Sequence, residues 1–401
     1  MITKKIAGLL LVFVLIFAVS CGDKDTSIGG GGGGYRGPQL PDDPLKDTYK
    51  DYFLIGNIIN STYMTGRHFE LLTEHYNTVT CENDMKPDAL APSSNGGSYR
   101  FSTADAQVQA MLDAKMKVHG HTLVWHSQTP GWLTSSNAEA NMKKYITDVM
   151  AHFKGKVTSW DVVNEAMKDQ GLSNYQDQIF NQGKWKEYLR NTTDSDNDGS
   201  PWYQAIGDSY IYTAFKTARA TDPAAVLYYN DFGLNGTYKP RAVYNMIKEI
   251  NEDWKNDNDN TDKSRKLIEG IGMQGHYNTS WMNTEDGFNR LKGNIEKYLE
   301  LGIRVDISEL DIAVGSDAQG TGQNTSMSSS DAEAQAKAYA KLFKTLKELN
   351  EQYPGQITRV TMWGIDDKTS WKSKGNPCLF DGSLNPKPAF YAVSNPAKYS
   401  N

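Results

Sequence analysis

The sequence predicts a single (β/α)8 TIM barrel of the α/β class, enlarged by loop insertions. Three observations predict it. Eight short apolar runs alternate with amphipathic helical patterns between Leu45 and Ala397. Seven of the eight runs end in a charged, amide, imidazole or indole group, at the ends where a parallel barrel gathers its active site. No Gly-x-Gly-x-x-Gly turn follows the first run, which removes the main signature of a doubly wound open sheet.

The chain ahead of the barrel reads as an address. Lys4 and Lys5 precede an apolar run, Ile6 to Val19, too short to span a bilayer and suited to the core of a signal peptide over residues 1–20. Ala18-Val19-Ser20 leads into Cys21, the residue expected to be lipidated, as in bacterial lipoprotein signals. Ala18 stands where such signals usually carry Leu, so an ordinary secretory cut is the alternative. The unbroken run Gly29 to Gly34 lacks anything to pack and makes residues 21–44 a flexible tether. The expected location is the outer membrane or cell surface, with the lipid anchor as the only membrane contact.

Taken in order, the expected strands are Phe53–Ile58, Thr78–Cys81, Val118–Leu123, Ser159–Val163, Val226–Tyr229, Ile268–Met273, Ile303–Ile307 and Arg359–Trp363. Each is short and rich in β-branched or aromatic residues. Helical spacing of apolar positions marks Thr103–Ala114, Ala138–Phe153, Trp202–Ala220, Arg241–Trp254, Thr284–Leu301 and Ala332–Leu349. In Ala138–Phe153, for example, Met142, Ile146, Val149 and Met150 share one face.

Composition narrows the function. With 401 residues, 38% hydrophobic and 22% charged, the chain has length for one large domain. A formal charge of −6 argues against a nucleic-acid binder, which needs a basic stripe. Nine Trp and 22 Tyr suit a cleft in which rings stack on sugar faces, although most must serve the core. Three cysteines give neither a disulfide framework nor metal-ligand spacing, and the sequence leaves open whether Cys81 and Cys378 pair.

The polar strand ends carry the chemistry. Strand two runs into Glu82-Asn83-Asp84-Met85-Lys86, strand three into His121-Thr122-Leu123-Val124-Trp125-His126-Ser127-Gln128, and strand four into Asn164-Glu165. Strand five ends in Tyr229-Asn230-Asp231, strand six in Gln274-Gly275-His276, strand seven in Ser308-Glu309-Leu310-Asp311, and strand eight in Trp363. Glu309 and Asp311 lie two apart and so share a face. Carboxylates at the ends of strands four and seven form the pair a glycosidase requires: one protonated to donate to the leaving oxygen, one ionised to attack or to activate water. Glu165 follows an apolar strand, a partly buried setting that raises a carboxyl pKa and suits the acid role. Glu309 stays charged if His276 reaches it.

These segments resemble the endo-β-1,4-xylanases of glycoside hydrolase family 10. The likeness rests on Glu82-Asn83-Asp84-Met85-Lys86, Gly120 to His126, Trp160-Asp161-Val162-Val163-Asn164-Glu165-Ala166, Ser308-Glu309-Leu310-Asp311 and Trp363-Gly364-Ile365, and extends to Trp371 and Leu379-Phe380-Asp381. It implies a barrel acting on xylan and xylo-oligosaccharides by hydrolysis with retention, through a covalent glycosyl-enzyme, with no cofactor. It further implies Glu165 as acid/base, Glu309 as nucleophile, Asn164 on the sugar 2-hydroxyl, and His276 holding Glu309 with Asp311 beyond it. Glu82, Asn83, Lys86, His121, Trp125, Gln128 and Gln274 correspond to the glycone-binding set, and Trp363 and Trp371 to the wall over the cleaved residue. A monomer without nucleic-acid partners is expected.

Blander readings compete for some of these residues. His119, His121 and His126 invite a metal reading, since positions i and i+2 on a strand face the same way, but no third His at a matching strand end is aimed at them, and no metal is expected. Asp194 to Gly199 opens like a calcium loop, yet Ala205 stands where the closing Glu belongs, so a solvated insertion is expected. Gly315–Ser330 reads as an inserted loop at the catalytic mouth. Trp132 suits a sugar platform or a loop anchor equally. Two rivals remain: a related retaining hydrolase of β-1,4-glucan, and a non-catalytic polysaccharide-capturing lipoprotein, which has no need of both Glu165 and Glu309.

Overall fold

In the computed structural model, residues 43–93, 98–169, 184–191, 199–315 and 327–399 are described. The signal peptide, Cys21 and nearly all of the tether lie outside them. So do residues 194–198 of the calcium-like loop and 316–326 of the insertion after Glu309.

Nine parallel strands occur among these residues: β1 (Leu54–Ile59), β2 (Thr78–Cys81), β3 (Lys117–Trp125), β4 (Val157–Asn164), β5 (Val226–Asp231), β6 (Gly270–Met273), β7 (His276–Asn278), β8 (Arg304–Ala313) and β9 (Ile357–Met362). Each pairs with its neighbour in the order β6-β5-β4-β3-β2-β1-β9-β8, and β6 pairs with β8, closing an eight-stranded barrel. The short β7 continues past β6 and pairs His276 with Asp311 of β8. All eight expected strands are present, with ends shifted by a few residues.

Helices cover the ring because each presents one apolar stripe. Ala138–Phe153 buries Met142, Tyr145, Ile146, Val149, Met150 and Phe153, a spacing that keeps them on one side. Glu285–Glu300 starts where the Thr284 hydroxyl accepts the Gly287 N–H at 3.2 Å, and Ser328 caps Ser329–Gln352 in the same way through Asp331. The single helix expected over Trp202–Ala220 is two, Pro201–Ile206 and Tyr210–Thr221. Gly207 between them has φ +87°, a left-handed conformation that ends a helix. Gly66–His75 and Pro388–Ser394 are helices that the apolar pattern does not announce.

Two details of the ring set the site. Glu309 is not at a strand end, since β8 runs on to Ala313. The register of β8 against β9 slips between Ile307 and Leu310, so a bulge interrupts the strict alternation of faces there. Ser308 and Glu309 therefore both reach Asn230 of β5, although they are consecutive. The barrel interior is also polar: His119, His121, Asp161, Asn230, Asp306, Arg359 and Thr361 are all buried.

Candidate active site

A cleft of about 620 Å³ opens at the C-terminal ends of the strands. Its lining includes Glu82, Asn83, Lys86, His121, Trp125, Gln128, Asn164, Glu165, Gln274, His276, Glu309, Trp363 and Trp371. Every residue singled out from the sequence for the carbohydrate site thus lines one cavity, except Asp311, which lies behind it. Phe232, Gly233, Asn235 and Lys372 complete the lining and are not among the expected residues. Phe232 directly follows the polar end of strand five, and that position is its only signal in the sequence.

Glu165 is the first residue after β4 and has φ +56°, a conformation few non-glycine residues adopt. Its carboxyl oxygens are both held: Oε2 accepts Trp125 Nε1–H at 2.7 Å and Oε1 accepts Gln274 Nε2–H at 2.7 Å. Gln274, expected to bind sugar, thus also orients the carboxyl group. The Asn164 amide oxygen accepts from Asn230 at 3.0 Å and from Gln274 at 3.3 Å. That fixes which face of the amide is left for the cleft.

Glu309 faces a different set of donors. Asn230 Nδ2 donates to Oε1 at 2.8 Å, and His276 Nε2 lies 3.2 Å from Oε2. The other ring nitrogen of His276 is 2.7 Å from Asp311 Oδ2. Asp311 is itself tied by Trp371 Nε1 at 3.0 Å and Lys372 Nζ at 3.1 Å. Burial works against charge on the His276 ring, but Asp311 and Glu309 outweigh it and raise its pKa to about 9. Burial likewise opposes ionisation of Glu309, yet His276, His121 and Asn230 hold its carboxyl below the usual range. Asp311 is lowered against its own burial by His276 and Lys372. At neutral pH the ring is therefore a cation with two N–H donors, one for each carboxylate. The sequence assigns no role to Asn230, because its side-chain partners lie on two other strands, β4 and β8.

The rest of the cleft is lined by polar and aromatic side chains. Lys86 Nζ donates to Asn83 Oδ1 at 2.9 Å and stands 5.1 Å from the centre of the Trp125 ring. Burial lowers its pKa, opposed by Glu309, Glu82 and Glu165. Glu82 accepts Asn60 Nδ2–H at 2.7 Å, and the Gln128 amide lies 3.4 Å from Asp88. His121 packs edge-on to Trp363. Trp363 is nearly buried, whereas Trp371, also in the lining, is 38% exposed.

The bland alternatives resolve in physical terms. His119 Nε2 and His121 Nδ1 both lie within 3.0 Å of one Asp161 oxygen, so His119 is a core histidine committed to a buried carboxylate. No group of three or more His, Cys, Asp or Glu side chains is arranged to hold a metal among the described residues. Trp132 donates to the Ala91 carbonyl at 2.9 Å and packs on the core, which makes it the loop anchor. Cys81 and Cys378 are buried free thiols.

Known proteins resemble this chain in sequence and fold. Residues 44–396 match the model for glycosyl hydrolase family 10. A β-1,4-xylanase of Dictyoglomus thermophilum is 33% identical over 369 residues, covering 89% of this chain and 92% of that protein. Endo-1,4-β-xylanase A of Thermotoga maritima is 34% identical over 88% of this chain, which spans only 30% of that longer protein. A GH10 xylanase from termite gut that contains a bacterial Ig-like domain superposes with a TM-score of 0.75. It is 36% identical, over 89% of this chain and 78% of that one. With nearly the whole barrel matched and the cleft assembled from the expected strand ends, the chain belongs to glycosyl hydrolase family 10.

Proposed function

We propose that the protein is an endo-acting β-1,4-xylanase that hydrolyses xylan with retention of configuration, using Glu165 as acid/base and Glu309 as nucleophile. The observation that carries this reading is the contrast between the two carboxyl groups in one cleft. Glu309 is held charged by a cationic His276 and the Asn230 amide, as an attacking group must be. Glu165 is held in a fixed orientation by Trp125 and Gln274, as a proton donor to a leaving oxygen must be.

In the first step a carboxylate oxygen of Glu309 bonds to the anomeric carbon while the glycosidic C–O bond breaks. Glu165 passes its proton to the departing oxygen, and a glycosyl ester on Glu309 remains. In the second step Glu165 takes a proton from water, whose oxygen displaces Glu309 from the opposite face. Two inversions give net retention. The Asn164 amide, its oxygen engaged by Asn230 and Gln274, offers its N–H to the sugar 2-hydroxyl. Glu82, Asn83, Lys86, His121 and Gln128 bind the remaining glycone hydroxyls, and Trp363 and Trp371 cover the apolar sugar face.

Comparing reducing ends released from xylan and from carboxymethyl-cellulose tests the substrate. Release from xylan should exceed release from cellulose by at least about tenfold, since a pocket shaped for a pentose crowds the extra hydroxymethyl of a hexose. Greater release from cellulose overturns the reading.

The same proposal includes export. Lys4, Lys5, the apolar run to Val19 and Cys21 support a lipid-anchored protein of the outer membrane or cell surface, with secretion as the alternative.

A further inference from the structure

We infer that Arg190 and Tyr229 are positioning residues for the acid carboxyl group, gripping the peptide unit between Glu165 and Ala166 from both sides. The inference rests on the reading of Glu165 as the acid.

A peptide unit has one acceptor and one donor. Here the Glu165 carbonyl accepts Arg190 Nε–H at 2.8 Å, and the Ala166 N–H donates to the Tyr229 hydroxyl at 3.0 Å. Behind these two contacts the side chains close into a ring. Arg190 Nη2 lies 2.7 Å from Asp169 Oδ2, and Lys239 Nζ lies 3.0 Å from Asp169 Oδ1. Lys239 Nζ is also 2.6 Å from Asp231 Oδ1, and Tyr229 donates its proton to Asp231 Oδ2 at 2.5 Å. Among the described residues two cations meet two carboxylates, and all of these groups but the partly exposed Asp169 are buried, so each buried charge has an opposite partner away from water.

A balanced ion cluster by itself says only that the region is well built. Its address makes it specific, because both of these contacts to main chain fall on the one peptide that follows Glu165. That residue has φ +56°, where a non-glycine backbone relaxes elsewhere unless it is held. On its other side the Glu165 N–H donates to the Asn230 carbonyl at 2.8 Å. Both backbone torsions of Glu165 are thus fixed from outside, and the side chain leaves the strand toward Trp125 and Gln274. The ring touches neither Glu309 nor His276. Loss of Arg190 should therefore free the Glu165 peptide to turn and carry the carboxyl group away from the leaving oxygen, while attack by Glu309 proceeds.

Leaving-group dependence separates this role from a merely structural one. We would compare kcat/KM on a xylo-oligosaccharide with kcat/KM on 2,4-dinitrophenyl β-xylobioside, whose leaving group departs without a proton. Arg190→Met should lose about tenfold or more on the oligosaccharide, as expected for misplacing an acid by an ångström. It should lose less than about threefold on the activated glycoside. Tyr229→Phe and Asp169→Asn should show the same split in smaller measure. The Asp169 side chain is 36% exposed, so its neutralisation keeps a folded protein if Arg190→Met does not fold. Glu165→Ala is measured alongside. If that variant shows no split, the acid assignment itself fails. If Glu165→Ala shows the split while the ring variants lose equally on both substrates, or lose nothing, the positioning role is overturned and the acid assignment stands.

Discussion

At neutral pH the His276 ring carries its proton because two carboxylates flank it, and that charge has a cost and a reach. Its pKa of about 9 stands above the ordinary 6.5. A group raised on folding stabilises fully below its unfolded value, and the stabilisation drains away as pH rises through the folded value. The contribution is on the order of 3 kcal/mol, since each tenfold gain in proton affinity is worth about 1.4 kcal/mol. The wild-type Tm should therefore fall between about pH 6.5 and 9, and that fall should be largely absent in His276→Gln. Parallel curves for the two proteins would contradict the assignment. Glu309 and Asp311 act in the opposite sense. Their stabilisation is present above the ordinary carboxylate range and lost as pH falls through their depressed values.

Strand β6 shows how an element can serve a site without contributing a functional side chain. Gly272 faces Asn230 and Ser308, and a Cβ there would overlap the Asn230 amide oxygen and crowd the Ser308 hydroxyl. Gly272→Ala should push Asn230 off Glu309, lowering kcat/KM by about tenfold or more and stability by roughly 1–3 kcal/mol. Gly293, inside the helix Glu285–Glu300, has nothing within 4 Å of its added Cβ, so Gly293→Ala should instead stabilise by roughly 0.5–1 kcal/mol. Kinetics and denaturant melts of the pair check both signs. None of this crowding is visible in Gly-Ile-Gly-Met as letters. The strand itself was legible, as were the others, because short β-branched runs separated by helical spacing need only local information. The bulge that turns both Ser308 and Glu309 toward Asn230 was not, because it is a slip between β8 and β9. The helix Gly66–His75 escaped because its apolar positions, Phe69, Leu71 and Leu72, are few and sit among charges.

Across the whole molecule the same division holds. That the two carboxyl groups, the tryptophans and the polar side chains at the strand ends line one cleft was legible, because a barrel collects strand ends at one mouth. The holding roles of Asn230, Lys372, Arg190 and Tyr229 were not, although Tyr229 and Asn230 stand at a polar strand end, because the folded barrel alone decides which side chain each one meets. Arg190 and Glu165, for instance, are 25 residues apart. The amino-terminal segment adds a prediction at this scale. Cys21→Ala should abolish incorporation of labelled palmitate and release the protein from the membrane fraction; retention there would count against lipid anchoring. The central claim is that Glu309 forms the covalent bond to sugar. Incubation with a 2-deoxy-2-fluoro-β-xylobioside bearing an activated leaving group should trap that ester, because the fluorine slows its hydrolysis. Mass spectrometry of the digested protein should then find the disaccharide on the peptide carrying Glu309. A label on another residue would contradict the account.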